Sequence, residues 1–370
     1  MRFYKLLLFL TMFCQALSAQ QIKIGNYRFP DGGEYQGELF KGKPYGTGTT
    51  TYQNGDVHTG QYVKGKRQGH GTYLFADGEK YEGEWFADQQ HGEGTYYFSN
   101  NNRYEGLWFR DYQQGEGTMY YFNGDVYVGH WEQDKRSGQG KYTHANGAYY
   151  EGGWKNDMKD GTGLYDWKDG NKYDGQWKEN QMHGKGTFYY ASGDVYVGEW
   201  QKGMQHGKGI YTFHDNNKYE GQYVNGKRTG EGIYTFSNGD KYVGSFLNGE
   251  QEGNGTFTWH TGAVYTGQWH ANKQHGKGRY VWANKDVYEG EWHNGMMEGE
   301  GILRQADGVK FKGSYKAGMK EGYGILEDAD GIRYEGNFHQ DEKNGEFVEK
   351  DKNGNVIRKI TYVNDVPKKE

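Results

Sequence analysis

From Tyr35 onward the chain alternates apolar and polar positions with a period of two, broken at fixed intervals by glycine and short polar turns. Such alternation marks β-strands with two unlike faces. Residues 127 to 149 show one period. Tyr127-Val128-Gly129-His130-Trp131 predicts a first strand with Tyr, Gly and Trp on one face. Glu132 to Ser137 predicts a polar loop, and Gly138-Gln139-Gly140 leads into a second strand with Tyr142 and His144 on one parity. Neighbouring periods carry Tyr96 and Phe98, or Tyr211 and Phe213, at those places. Asn146-Gly147 closes the unit. Asn-Gly between alternating runs predicts a tight hairpin whose two turn residues both take positive φ. Both connections are short, so successive strands are expected to be antiparallel.

The pattern recurs every 23 residues. Tyr35-Gly37-Leu39, His58-Gly60-Tyr62, Tyr81-Gly83-Trp85 and Tyr104-Gly106-Trp108 begin a series that runs to Tyr334, 14 copies without insertion or deletion. Paired glycines keep the same phase, from Gly46/Gly48 to Gly322/Gly324. Internal periodicity of this kind marks a repeat architecture. Parity places each ring where it can cover glycine backbone on a neighbouring strand. The intervening positions, such as Glu82, Glu84, Glu289 and Glu291, make an opposite, largely polar face. The predicted fold is all-β: an elongated, single-layer antiparallel β-meander of tandem hairpins. At ordinary strand spacing it would span about 130 Å as a twisted ribbon.

Composition agrees. Gly supplies 63 of 370 residues, and 17% are aromatic against 34% hydrophobic overall. A thick aliphatic core is excluded; a layer of rings is not. Arg2 and Lys5 precede an apolar run from Leu6 to Phe13, followed by Leu17-Ser18-Ala19. That layout predicts a signal peptide, 1–19, and export to periplasm, cell surface or medium. No later segment is apolar enough to span a bilayer as a helix. Cys14, the single cysteine, falls in the leader, so the mature chain is expected to lack disulfides. Removing Arg2 and Lys5 takes the net charge from −5 to −7, with both signs scattered. No basic block is present to bind nucleic acid.

The units resemble MORN (membrane occupation and recognition nexus) repeats. Tyr196-Val197-Gly198-Glu199-Trp200, then Lys202-Gly203 and His206-Gly207-Lys208-Gly209, matches that pattern closely, and the resemblance covers about 22 to 345. It implies an array over 20–345, made of a half-unit at 22–34 and 14 units in phase from Tyr35. The divergent segment 346–370 is expected to cap it. The resemblance implies protein–protein interaction or self-association, with attachment to phosphoinositide or other anionic lipid as a second possibility.

No catalytic constellation is expected. His91, His183, His206 and His275 share one column, but equivalent positions two strands apart stand about 10 Å from one another, too far for one zinc ion. They are expected to face the loops as polar residues. Glu82, Glu105, Glu151, Glu220 and Glu335 are likewise expected to line a solvated face. Gly-x-Ser-x-Gly, His-Glu-x-x-His and EF-hand loops are absent from the sequence. The chain therefore reads as a non-enzyme that needs no cofactor or metal. The candidate binding residues are the aromatic stripe Trp85, Trp108, Trp131, Trp154, Trp177, Trp200, Trp269 and Trp292. A protein partner fits it first, and a glycan stacked along the groove is an alternative. For lipid, the basic pairs Lys66-Arg67, Lys135-Arg136 and Lys227-Arg228 are the candidates, offset by Glu250 and Glu342 in the same column.

Overall fold

The computed structural model describes residues 22–368. The expected signal peptide lies outside the described residues. Among these there are thirty-one strands and no helix. The chain forms two compact units, Met1–Gln181 and Met182–Glu370. Within each, consecutive strands pair antiparallel in chain order to make an open sheet.

The parity argument holds at the level of single atoms. In strand Val126–Glu132, Tyr127, Gly129 and Trp131 are buried while Val128 is exposed. Gly129 pairs with Gly140 of strand Lys135–Thr143. The Tyr127 ring lies over this glycine pair so closely that a Cβ on Gly140 would stand 2.3 Å from Tyr127 Oη. That hydroxyl donates to the His130 carbonyl at 3.1 Å. Trp131 and Trp154 meet the ring edge-on, with centroids 5.2 and 5.4 Å away and interplanar angles of 88° and 83°. Each buried tyrosine removes about 150–250 Å² from water. At about 25 cal/mol per Å², that is about 4–6 kcal/mol of gross burial per repeat. Without this row a single sheet layer would have no core.

Both connections differ from the sequence reading, in opposite ways. The expected loop from Glu132 to Ser137 is mostly strand; the turn is only Gln133-Asp134, with φ of 49° and 64°. Positive φ at both positions is the two-residue type I′ geometry that the sequence reading assigned to Asn-Gly. At Asn146-Gly147 only the glycine turns left-handed, with φ of 87°. The His144 carbonyl accepts from the Gly147 N–H at 2.9 Å, and the His144 N–H donates to the Ala148 carbonyl at 2.8 Å. This is a three-residue loop, a type I turn followed by a left-handed residue. Asn146 contributes through its side chain: Oδ1 accepts the Ala148 N–H at 3.0 Å. An Asn that caps from its side chain has no need of positive φ.

Candidate functional site

The eight candidate tryptophans are floor, not surface. Their exposures run from 3% at Trp131 to 7% at Trp154 and Trp292. All eight indole N–H groups donate to a glycine carbonyl 14 residues back, as in Trp154 Nε1 to Gly140 O at 3.0 Å and Trp269 Nε1 to Gly255 O at 3.2 Å. Within each unit the structure therefore places these tryptophans in equivalent positions but turns little ring area outward.

What covers the indoles is a column that the sequence reading took for a loop edge. Arg67 lies with its guanidinium carbon 4.1 Å above the Trp85 ring and 5.0 Å above Tyr73. Arg136 sits 4.4 Å over Trp154 and 5.4 Å over Tyr142. Lys159 Nζ is enclosed by Trp177, Tyr165 and Tyr150 at 4.6, 4.4 and 5.5 Å. In these repeats the rings form a cage, three-sided around Arg136 and Lys159, and the chain fills it with its own cation. The second residue of the next two-residue turn closes the arrangement. Asp88 Oδ1 accepts the Arg67 N–H at 2.8 Å, while Asp157 Oδ1 accepts both the N–H and Nε of Arg136 at 3.0 Å. Lys159 faces Asn180 instead, whose Oδ1 takes the Lys159 N–H at 2.8 Å. Burial, and next the neighbouring Arg136, hold the Lys159 ammonium down at about 8.

The open part of the aromatic face is an outer row that sequence parity identified but did not single out. Tyr96, Phe98 and Tyr121 are half-buried. With Trp108, Trp131, Gln90, Gln113, Asp111 and Asp134 they line a groove of about 660 Å³. A second groove, of about 490 Å³, is walled by Phe236, Phe257 and Trp259 over Phe246 and Trp269. The available signal was the ring that many repeats carry just before the three-residue turn, as at Phe98, Tyr121, Phe236 and Trp259. The opposite face is less uniformly polar than expected. Val197, Ile210, Ile233 and Val243 gather there in a hollow of about 560 Å³.

Carboxylates tie successive repeats together. Asp125 accepts from the Tyr142 hydroxyl at 2.6 Å and the Ala145 N–H at 2.9 Å. Asp56 does the same with Tyr73 and Ala76, at 2.6 and 2.9 Å. Burial alone would raise both acids, but these hydrogen bonds outweigh it and hold them below the usual carboxylate range. Two members of the histidine column stack: His91 stands between Phe86 and Phe109 at 5.6 and 5.2 Å, with Nδ1 buried and unpartnered. His275 is placed likewise between His270 and His293, at 5.5 and 5.0 Å. Among the described residues no group of three or more His, Cys, Asp or Glu is placed to hold a metal ion. His58, in a tyrosine position, is fully buried with Nδ1 2.7 Å from Tyr62 Oη. Burial, and secondarily Arg67, push it down to about 3.

An open sheet of tandem hairpins, all but the last burying one ring over a glycine pair, defines the class: a β-hairpin repeat protein whose exposed features are grooves. Fourteen consecutive segments, from 35–57 to 334–356, match the MORN repeat model, and the chain belongs to the MORN repeat family. Repeats of this family generally mediate protein or membrane interactions. The comparison with curated proteins gave no match. Among solved structures, the TCP domain of SAS-4 of Drosophila melanogaster, in complex with a proline-rich motif of Ana2, is 14% identical, over 42% of this chain and 85% of that one, with a TM-score of 0.28. A mutant TCP10 domain of Danio rerio CPAP is 12% identical, over 72% and 99%, with a TM-score of 0.26. A catalytically inactive virginiamycin B lyase from Staphylococcus aureus is 12% identical over 77% and 96%, at 0.14. At these TM-scores the likenesses carry no argument.

Proposed function

We propose that this protein is an exported, non-enzymatic scaffold that holds an extended segment of a partner protein against its aromatic face. The observation that carries the reading is the open groove over Trp108 and Trp131, walled by the half-buried rings of Tyr96, Phe98 and Tyr121. Rings of this kind offer large contact area at small entropic cost. Asp125 and His91, groups of the kind a catalyst would use, are engaged in a tether between repeats and in stacking. Anionic lipid is less well supported, because Arg67, Arg136 and Arg228 turn onto rings rather than outward. A glycan stacked along the candidate stripe would need the faces of those eight indoles, which are covered here.

The test compares the mature chain with a Phe98→Ser/Tyr121→Ser variant. Proteins retained by the first are identified, purified and titrated against both. Equal affinity for the variant would refute the groove as the binding face. Export is tested separately by expressing the full chain and sequencing its N-terminus in each cell fraction; retention in the cytoplasm with an intact Met1 terminus would remove it.

A further inference from the structure

The cages disclose their own ligand. Where the covering residue is Arg67, Arg136, Lys320 or Lys343, the second turn residue that binds its backbone N–H is Asp88, Asp157, Asp341 or Asp365. Where the covering residue is neutral, the turn residue is ordinarily neutral as well: Gln251 meets Asn272, and Gln274 meets Gly295. Two cations, Arg228 against Gly249 and Lys159 against Asn180, lack the acid, and two consecutive repeats break the matching in the other direction. Gln90 faces Asp111 and Gln113 faces Asp134, each through a backbone N–H to Oδ1 at 2.8 Å. Among the described residues, neither carboxylate has a Lys, Arg or His nitrogen within ion-pair distance, in contrast to Asp157, 3.0 Å from Arg136 Nε. Both lie in the groove over Trp108 and Trp131, and the Arg136–Asp157 pair closes one end of it.

We infer that these two sites, the first lined by Tyr96 and Trp108 and the second by Trp131 with Met119 in the tyrosine position, take cations supplied by a partner: basic side chains of an extended peptide lying along the groove between Gln90 and Asp134. The inference rests on the scaffold reading and names the chemistry its partner must have. The occupied cages show what fits: a guanidinium over Trp and Tyr faces with a carboxylate beside it. Lys159, caged without a carboxylate, is the complementary case, a cation held with its proton loosened. Equivalent positions two strands apart are about 10 Å apart, matching side chains three residues apart in a polyproline II-type extended chain, which turns them to one face about 9 Å apart. The Gln90 and Gln113 side chains, 7% and 5% exposed, must swing aside, as their neutral amides can without stranding a charge.

The experiment uses the mature chain and a fluorescein-labelled peptide, acetyl-Ala-Arg-Ala-Ala-Arg-Ala-amide, read by fluorescence polarisation. Two variants decide. Asp111→Asn/Asp134→Asn removes the charges but keeps the backbone bond, as Asn180 and Asn272 do naturally. Gln90→Arg/Gln113→Arg fills the cages from within, as Arg67 and Arg136 do. Each is expected to weaken binding by about tenfold or more, and a Glu-for-Arg peptide is expected not to bind. If the first variant misfolds by circular dichroism, the second decides alone. No binding of the Arg peptide, equal binding of the Glu peptide, or indifference to Gln90→Arg/Gln113→Arg overturns the inference. A natural partner lost on Phe98→Ser/Tyr121→Ser but unaffected by the charge variants would overturn it while leaving the scaffold reading standing.

Discussion

Replacing Gly94 by Ala adds one methyl group where the structure leaves no room for it. An ideal Cβ there stands 2.4 Å from Tyr81 Oη and 2.6 Å from two ring carbons. Ordinary carbon contacts are about 3.5 Å, so the ring must lift by about 1 Å. Tyr81 is fully buried, gripped edge-on by Trp85 and Trp108 at 5.2 and 5.3 Å, and its hydroxyl donates to the Glu84 carbonyl at 2.9 Å. Overpacking costs about 1–3 kcal/mol, and loss of the hydrogen bond adds about 1 kcal/mol. The expected cost is therefore about 2–4 kcal/mol, concentrated in the repeats that share Tyr81. Denaturant unfolding followed by tryptophan fluorescence measures it, with hydrogen exchange locating the loss. Thr95→Ala, next in the strand but on the other face, serves as control. The decisive background is Tyr81→Ala, in which the Gly94→Ala penalty should largely vanish. A penalty of equal size with the ring removed would refute the ring-over-glycine account.

Three further outcomes follow from the same geometry. Lys159→Met, a residue the repeat already uses at Met182 and Met297, is expected to raise the melting temperature at pH 7. The folded ammonium is held at about 8 against an ordinary 10.5, so its proton opposes folding below pH 8 and native stability climbs between the two values; the variant should lose that rise. Asp125 is held below its ordinary value, so its contribution is present above that value and lost as pH falls below about 4. Asp125→Ala, as at Ala148 and Ala263, should cost about 1–3 kcal/mol at pH 7 and flatten the acid limb of a urea-denaturation series. Ala271 holds a left-handed φ of 47° in its two-residue turn. Ala271→Gly should stabilise by up to about 1 kcal/mol in thermal unfolding, and a loss of stability would contradict the turn assignment.

The aromatic floor and the open wall illustrate what could and could not be read in advance. Trp131 and Phe98 look equivalent by parity and hydrophobicity, yet Trp131 is 3% exposed and Phe98 walls a groove. The difference arises because Arg136 and Gln113, from neighbouring strands, close over one row and not the other. Arg67 read as an exposed loop cation, but a two-residue turn instead of a longer loop draws it onto the strand and over Trp85. The inter-repeat bonds of Asp56 and Asp125 had no local signature, since their partners lie 17 and 20 positions away.

By itself the sequence determined the 23-residue period, the strand parity and the pairing of rings with glycines. Each depends only on spacing along one chain, and a strand converts spacing directly into a face. Tertiary structure alone decided which rings stay open, which cations are consumed internally and which carboxylates remain unmatched. Those outcomes depend on side chains meeting across repeats, where contact geometry replaces sequence distance.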